Sequence, residues 1–229
     1  MIAMRLRRYF QHRKIYAALE ILIMLGVYST SSCQAERFIP YRLEAGSRLW
    51  IDGSATIGSY KCGTVAVYGI GDLKTDLQRF GNSKSQENDS AQNARILVMV
   101  RMFDCGNPAM NTDMYRALKA DRDSTIQFAL TDAQIAYDST ATTGWIGLRA
   151  IGRLSIAGIT RLDTIMAAVK SLSSKKYEIL GRKKLSMQNF KITPPTAFFG
   201  LIKAHEDLVV SFDLIAVPED DVFEPHVKR

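Results

Sequence analysis

The sequence predicts an all-β fold, an eight-stranded antiparallel barrel with one short helix inserted. Three observations carry that expectation. About eight segments alternate apolar and polar side chains with period two. Only one stretch, between two of those segments, repeats its apolar residues with a helical period. Turns and polar loops separate the segments, so neighbours can pair antiparallel, and such a sheet removes its edges by closing on itself with the apolar face inside. Composition agrees: 229 residues, 47% hydrophobic and 23% charged, describe one globular domain with a sizeable core.

The first 35 residues stand apart. Arg5, Arg7, Arg8, Arg13 and Lys14 form a basic head, Ile15 to Val27 an apolar run broken by Glu20, and Ser29 to Ser32 a small-residue stretch. This is the three-part pattern of a secretory signal, too short for a comfortable membrane span. Cys33-Gln34-Ala35 allows cleavage after Ala35. Cys33 as a lipidated cysteine is the alternative, although Thr30 stands where leucine is usual. A retained N-terminal anchor is the third option, giving membrane association. The expectation is an exported chain, periplasmic or held at the outer membrane, with residues 36–229 as the barrel domain and its core at 47–217. The full chain is +7, but residues 1–35 carry five of the 30 basic and one of the 23 acidic residues, which leaves 25 against 22, or +3. The basic balance therefore belongs largely to the export segment and does not imply nucleic-acid binding. Lys175-Lys176 and Arg182-Lys183-Lys184 read as solvated strand ends and a turn. Without Cys33, Cys62 and Cys105 remain, and an even pair in a secreted domain suggests a disulfide.

In chain order, Glu36 to Gly46 reads as a lead-in. Ser47 to Gly53 is a strand with Leu49 and Ile51 on one face and Arg48, Trp50 and Asp52 on the other. Tyr60 to Tyr68 is a second. Gly69 to Asn93 is polar, and its part from Gly81 onward reads as a mobile surface loop. Ala94 to Phe103 is a strand, with Ile96, Val98, Val100 and Met102 opposite Leu97, Met99, Arg101 and Phe103; Cys105-Gly106-Asn107-Pro108 breaks it. A helix is expected over Thr112 to Ala120, capped by Asn111 or Thr112, with Met110, Met114 and Leu118 as its stripe. Thr125 to Leu130 alternates again, with Ile126, Phe128 and Leu130 in phase. Asp132 to Thr143 reads as a loop. Gly144 to Gly158 gives the cleanest alternation, with Leu148, Ala150, Gly152, Leu154 and Ile156 on one face; its glycine marks a bend that curls a sheet. Ile159 to Leu172 has a composition that also suits a helix, but it is taken as a strand because Ile156-Ala-Gly-Ile-Thr is a natural hairpin and its neighbours are all strands. Tyr177 to Met187 places Tyr177, Ile179, Leu185 and Met187 in phase. Phe190 to Gly200 is a proline-rich loop with aromatics. Leu208 to Val217 closes the series, and Pro218 to Arg229 is a tail.

An eight-stranded barrel is either filled by its side chains or holds one small ligand. The in-facing set is Leu49, Ile51, Val98, Val100, Phe128, Leu148, Leu154, Ile156, Met187 and Phe212. Met110, Met114 and Leu118 are expected at one end, and Phe190, Phe198 and Phe199 at the other. Methionine and aromatic walls suit a ligand with many conformers. No ionisable residue stands in that set. His12 lies in the export segment, while His205 and His226 have no nucleophile pattern beside them. Phosphate loops, nucleophile elbows and metal-ligand spacing are absent from the sequence, so neither an enzyme nor a cofactor is expected.

SRLWIDGSATIG (Ser47 to Gly58), Tyr60-Lys-Cys62, Cys105 with Met110-Asn111 and MYRALKA, GRLSIAGITR (Gly152 to Arg161), LSMQNFKITPPTAFFG (Leu185 to Gly200) and DLVVSFDLIAV (Asp207 to Val217) follow one another in an order and spacing that resemble the YceI-like family, in its branch with paired cysteines. The resemblance implies a lipocalin-like barrel with a polyisoprenoid, quinone-like or other long-chain lipid threaded through it. A homodimer stays open. The chain departs from better-studied members in lacking their histidine near the first strand and their C-terminal arginine-containing strand pair. The non-catalytic alternative is a structural or stress-response barrel with a filled core.

Overall fold

The computed structural model describes residues 38–74, 91–139, 142–173, 175–197 and 201–219. Residues 1–37, on which the expected export signal and Cys33 fall, lie outside that set, as do most of the polar stretch, Phe198 and Phe199, and the tail from residue 220. The strands are β1 (Phe38–Leu43), β2 (Arg48–Ala55), β3 (Ser59–Thr64), β4 (Val67–Lys74), β5 (Ala91–Met99), β6 (Thr125–Ser139), β7 (Trp145–Ile156), β8 (Ile159–Ser173), β9 (Lys176–Ser186), β10 (Thr196–Ala197) and β11 (Ile202–Pro218); α1 (Pro108–Ala117) lies between β5 and β6.

These strands form a closed eight-membered antiparallel barrel. β1 and β2 act as one bent strand, and so do β3 and β4, because the two pair in nearly continuous register from Phe38↔Lys74 to Ser54↔Ser59. The ring then runs β4-β5-β6-β7-β8-β9-β11. β11 shuts it, pairing with β2 from Leu208↔Gly53 to Asp213↔Arg48 and with β1 from Leu43↔Ala216 to Tyr41↔Pro218. Period-two patterning becomes inside and outside: Ile51 is buried, while Trp50 lies outside with the Arg48 guanidinium 5.9 Å and the Lys61 ammonium 5.3 Å from its ring centroid. The expected hairpin after Ile156 is present. Ala157 and Gly158 both take positive φ, 50° and 79°, the pair of left-handed residues that a tight two-residue β-turn requires.

Several boundaries differ from the sequence reading. The lead-in contains β1, whose single short alternation is hidden by Pro40 and Arg42. The polar stretch after Gly69 contributes β4 as far as Lys74 and β5 from Ala91, and residues 75–90 between them are not described. Asp132 to Thr143 is no loop at its start: β6 continues to Ser139, and shifts of register at Leu130/Asp132 and Ile135/Tyr137 hide its alternation. β5 stops at Met99, short of the expected Phe103, and Val100–Met102 forms a 3-10 turn. The helix starts earlier than expected. Asn107 caps it, its side-chain oxygen accepting from Ala109 N–H (2.9 Å) and Met110 N–H (3.3 Å), and Pro108 begins it instead of merely ending a strand. Asn111 serves the preceding turn, accepting from Cys105 N–H at 2.7 Å.

Aromatic rings lie over glycines where the wall bends inward. A Cβ at Gly152 would stand 2.6 Å from Phe128 Cζ, and one at Gly181 2.0 Å from Phe212 Cζ. Only glycine leaves room for those rings to lie against the sheet.

Candidate functional site

The barrel is not filled. Its interior holds a cavity of about 310 Å³ with almost wholly apolar walls. The lining runs from Leu148 to Ile156 on β7 and from Leu208 to Ala216 on β11, roughly 27 Å of strand at ~3.4 Å per residue. That volume spread over that length is a narrow bore, shaped for one chain. One end is stopped by Leu118, just after α1, and by Phe190 and Ile192 around the 3-10 turn Met187–Phe190, so Leu118 and Phe190 share one end and do not stand at opposite ends as expected. Tyr41 lines the other end, its ring 5.7 Å from that of Tyr177.

Local chemistry fixes the α1 end. Cys62 of β3 is disulfide-bonded to Cys105. Beside it Gly63 and Asp104 exchange two backbone hydrogen bonds of 2.8 Å. The Tyr115 hydroxyl donates to the Phe103 carbonyl at 2.6 Å, tying the helix to the segment below it. The Asp104 carboxylate accepts from the Asn111 amide (3.1 Å) and from Gly106 N–H (2.9 Å), and these hold its pKa below the ordinary carboxylate value. Burial pushes the Tyr60 phenol up.

No protein-family model matches the sequence, and no curated protein matches it. Solved structures do. BcnA of Burkholderia cenocepacia superposes with a TM-score of 0.56 at 13% identity, over 74% of this chain and 94% of that one. A polyisoprenoid binding domain from Saccharophagus degradans, implicated in plant cell wall breakdown, gives 0.55 at 13% identity, over 79% and 99%. The YCEI protein of Campylobacter jejuni gives 0.50 at 12% identity, over 67% and 81%. The chain has the YceI-like fold. At such identities the likeness speaks for the backbone.

Within this YceI-like barrel, Leu49, Ile51, Val98, Leu118, Phe128, Leu148, Leu154, Ile156, Met187, Phe190 and Phe212 line the bore. Val100 does not; it is buried in the core beside it, because the 3-10 turn breaks the strand's phase at that residue. Met110 and Met114 do not line it either. Met114 packs under the cavity floor with its sulfur 3.6 Å from Cys105 Sγ, and the helix offers Leu118 instead. Phe198 and Phe199 lie outside the described residues.

The sequence reading missed Phe103, 1% exposed, which the same 3-10 turn swings inward. It also missed Ile165, Ala167 and Val169 of β8, whose opposite face carries Leu162 and Met166 and so masks the alternation. The third omission corrects an expectation, for the lining does include ionisable residues, Arg42, Arg95 and Lys183. Lys183 stands in phase with Ile179 and Leu185 on β9 and reaches the lining. Its ammonium is 2.5 Å from Asp163 Oδ1 and donates to the Thr164 carbonyl at 2.9 Å. The signal was present in the spacing but was hidden inside the basic cluster Arg182-Lys183-Lys184. On the outer surface Ser54 Oγ lies 2.9 Å from His205 Nδ1, a contact across β2 and β11, distant in sequence and away from the bore. The neighbouring Asp207 pairs with Lys184 at 2.8 Å and so does not orient the ring.

Proposed function

We propose that this chain is an exported lipid-binding protein whose barrel holds one long apolar chain of the polyisoprenoid or quinone-like class. The carrying observation is the bore itself, about 310 Å³ with apolar walls. Left empty, such a void forgoes roughly 7 kcal/mol at ~24 cal/mol per Å³, against about 5–15 kcal/mol of net stability for a whole domain. Water has no polar partners there, so an apolar occupant is the economical filling. Each methylene transferred into the bore contributes about 0.8 kcal/mol. The like-folded domain of Saccharophagus degradans, a polyisoprenoid binding domain, supports the ligand class. Export is supported by the basic head, apolar run and small residues of the first 35 positions and by the Cys62–Cys105 disulfide, which persists in oxidising compartments. The bore's geometry favours holding over chemistry: its walls are almost wholly apolar, and Lys183, the charged residue in phase with Ile179 and Leu185, is engaged by Asp163 and Thr164.

Native mass spectrometry and organic extraction of protein purified from its exporting cell test the reading. The expected result is a lipid of uniform mass, released on extraction. Ala167→Phe, which places a ring in the bore, is expected to fold and to lose that lipid. A clean apo mass, with no uptake of added isoprenoids or quinones, defeats the proposal.

A further inference from the structure

We propose that the wall between β8 and β9 is a lateral portal to the bore, latched by the Asp163–Lys183 ion pair. The proposal rests on the lipid-holding reading and adds the route by which the chain enters and leaves.

The ladder between β8 and β9 runs from Ser173↔Lys176 to Ala167↔Gly181 and stops. Both strands continue. β8 remains paired with β7 down to Ile159↔Ile156, and β9 remains paired with β11 down to Ser186↔Asp207. Over Ile159–Met166 and Arg182–Ser186 each strand is therefore laddered on its far side only, and the seam between them opens toward the α1 end of the barrel. Backbone groups on a strand edge seek partners. Here the Thr164 carbonyl takes the Lys183 ammonium (2.9 Å) in place of a ladder amide, while Asp163 Oδ1 takes the same ammonium at 2.5 Å. The two side chains are 24% and 22% exposed, so the latch sits between bore and solvent. A second tie, from Arg161 Nη1 to the Asn189 carbonyl at 3.4 Å, links β8 to the 3-10 turn beyond β9.

Apolar side chains stand on both sides of the latch, on the outside among the exposed Arg161, Thr164, Arg182 and Lys184. Ile165, Leu185 and Met187 line the bore behind it, and outside it Leu162 and Met166 of β8 are 71% and 45% exposed. An apolar chain crossing the seam thus finds carbon on either face, with the Asp163–Lys183 pair and the long Arg161–Asn189 hydrogen bond to part. A pair at this exposure holds loosely and is weakened by salt. Opening a full ladder would require breaking a row of backbone hydrogen bonds together. β5 and β6 also part, beyond Arg95↔Ala129, but no ion pair among the described residues spans that gap.

The test follows association and release of all-trans-retinol, an uncharged fluorescent isoprenoid alcohol, by stopped flow on lipid-extracted protein. Asp163→Asn is expected to speed both rates by a common factor of about fivefold, the rate equivalent of losing one such pair, with the equilibrium constant unchanged. Added salt is expected to speed exchange in the wild type and not in the variant; steering cannot cause this, because the probe carries no charge. Retinol that binds with rates indifferent to both salt and Asp163→Asn overturns the portal and leaves lipid holding intact. Wild-type protein that takes up no retinol overturns both. Amide exchange on the unaltered protein gives an independent check. Seam-facing amides of Ile159–Met166 and Arg182–Ser186 should exchange faster than laddered Ala167–Lys170, and equal protection counts against the seam.

Discussion

Asp104 shows how much one exposed side chain organises. Its carboxylate accepts from Asn111 and from Gly106 N–H, while its backbone pairs with Gly63. A single residue therefore fixes the turn that delivers Cys105 to Cys62 and starts the helix. These bonds depress its folded-state pKa. The stability it lends is accordingly present above its unfolded pKa and is lost as pH falls through the folded value. Asp104→Asn removes that titration. Urea unfolding of both proteins, at neutral pH and in acid, should show the wild type losing more stability on acidification than the variant. Equal losses would mean that the two hydrogen bonds do not favour the charged form. Gly181 makes a similar point about packing, since the absence of a Cβ there is what lets the Phe212 ring lie against the wall and leave the bore clear.

At the scale of elements, the disulfide does what the barrel's ladder does not. β3 is paired with β2 and with a single bridge, Gly63↔Asp104, so its far side would be a loose edge without Cys62–Cys105. The crosslink closes a loop with a sequence separation of 43, for which chain entropy assigns about 4 kcal/mol. A Cys62→Ala, Cys105→Ala double variant is expected to lower the urea-unfolding free energy by up to that amount, and α1 should lose amide protection first, because its N-terminus hangs from the same turn. Unchanged protection in α1 would detach the helix from the crosslink. β7 was legible because long, uninterrupted alternation admits one reading, whereas β8 was placed by the hairpin before it and not by its own pattern. Boundaries failed where the chain departs from period two for a physical reason. β1 is short and carries a proline, β6 slips register twice, and Val100–Met102 coils into a 3-10 turn that exchanges Val100 for Phe103 at the cavity wall. α1 was displaced because Asn107-Pro108 serves equally well as a strand stop and as a helix start; both use a proline that lacks an N–H.

For the whole molecule, closure is what converts these strands into a site. Eight strands enclose an interior on the border between filled and hollow, and no local pattern decides between them. Counting in-facing residues identified the large side chains of part of the wall, including Phe128, Leu154 and Phe212, yet the void depends on small partners such as Ala133, Ala150, Ala167 and Ala216, whose alanines look unremarkable in the sequence. Lys183 escaped for the opposite reason, because a lysine within a basic run gives no hint that the barrel turns it inward. A hollow interior makes stability a property of the loaded molecule. An occupant that binds only the folded barrel adds about 4 kcal/mol when present at a thousand times its dissociation constant, which for a domain of this size corresponds to roughly 10 °C in melting temperature. Lipid-extracted protein should therefore melt about that much lower than protein purified gently. Returning retinol should restore the difference in proportion to the logarithm of its concentration. Ala167→Phe, with its ring in the bore, should melt at one temperature whether or not retinol is present. If extracted and gently purified wild type melt together, the bore carries no stabilising occupant, and its cost must be met by the walls relaxing inward.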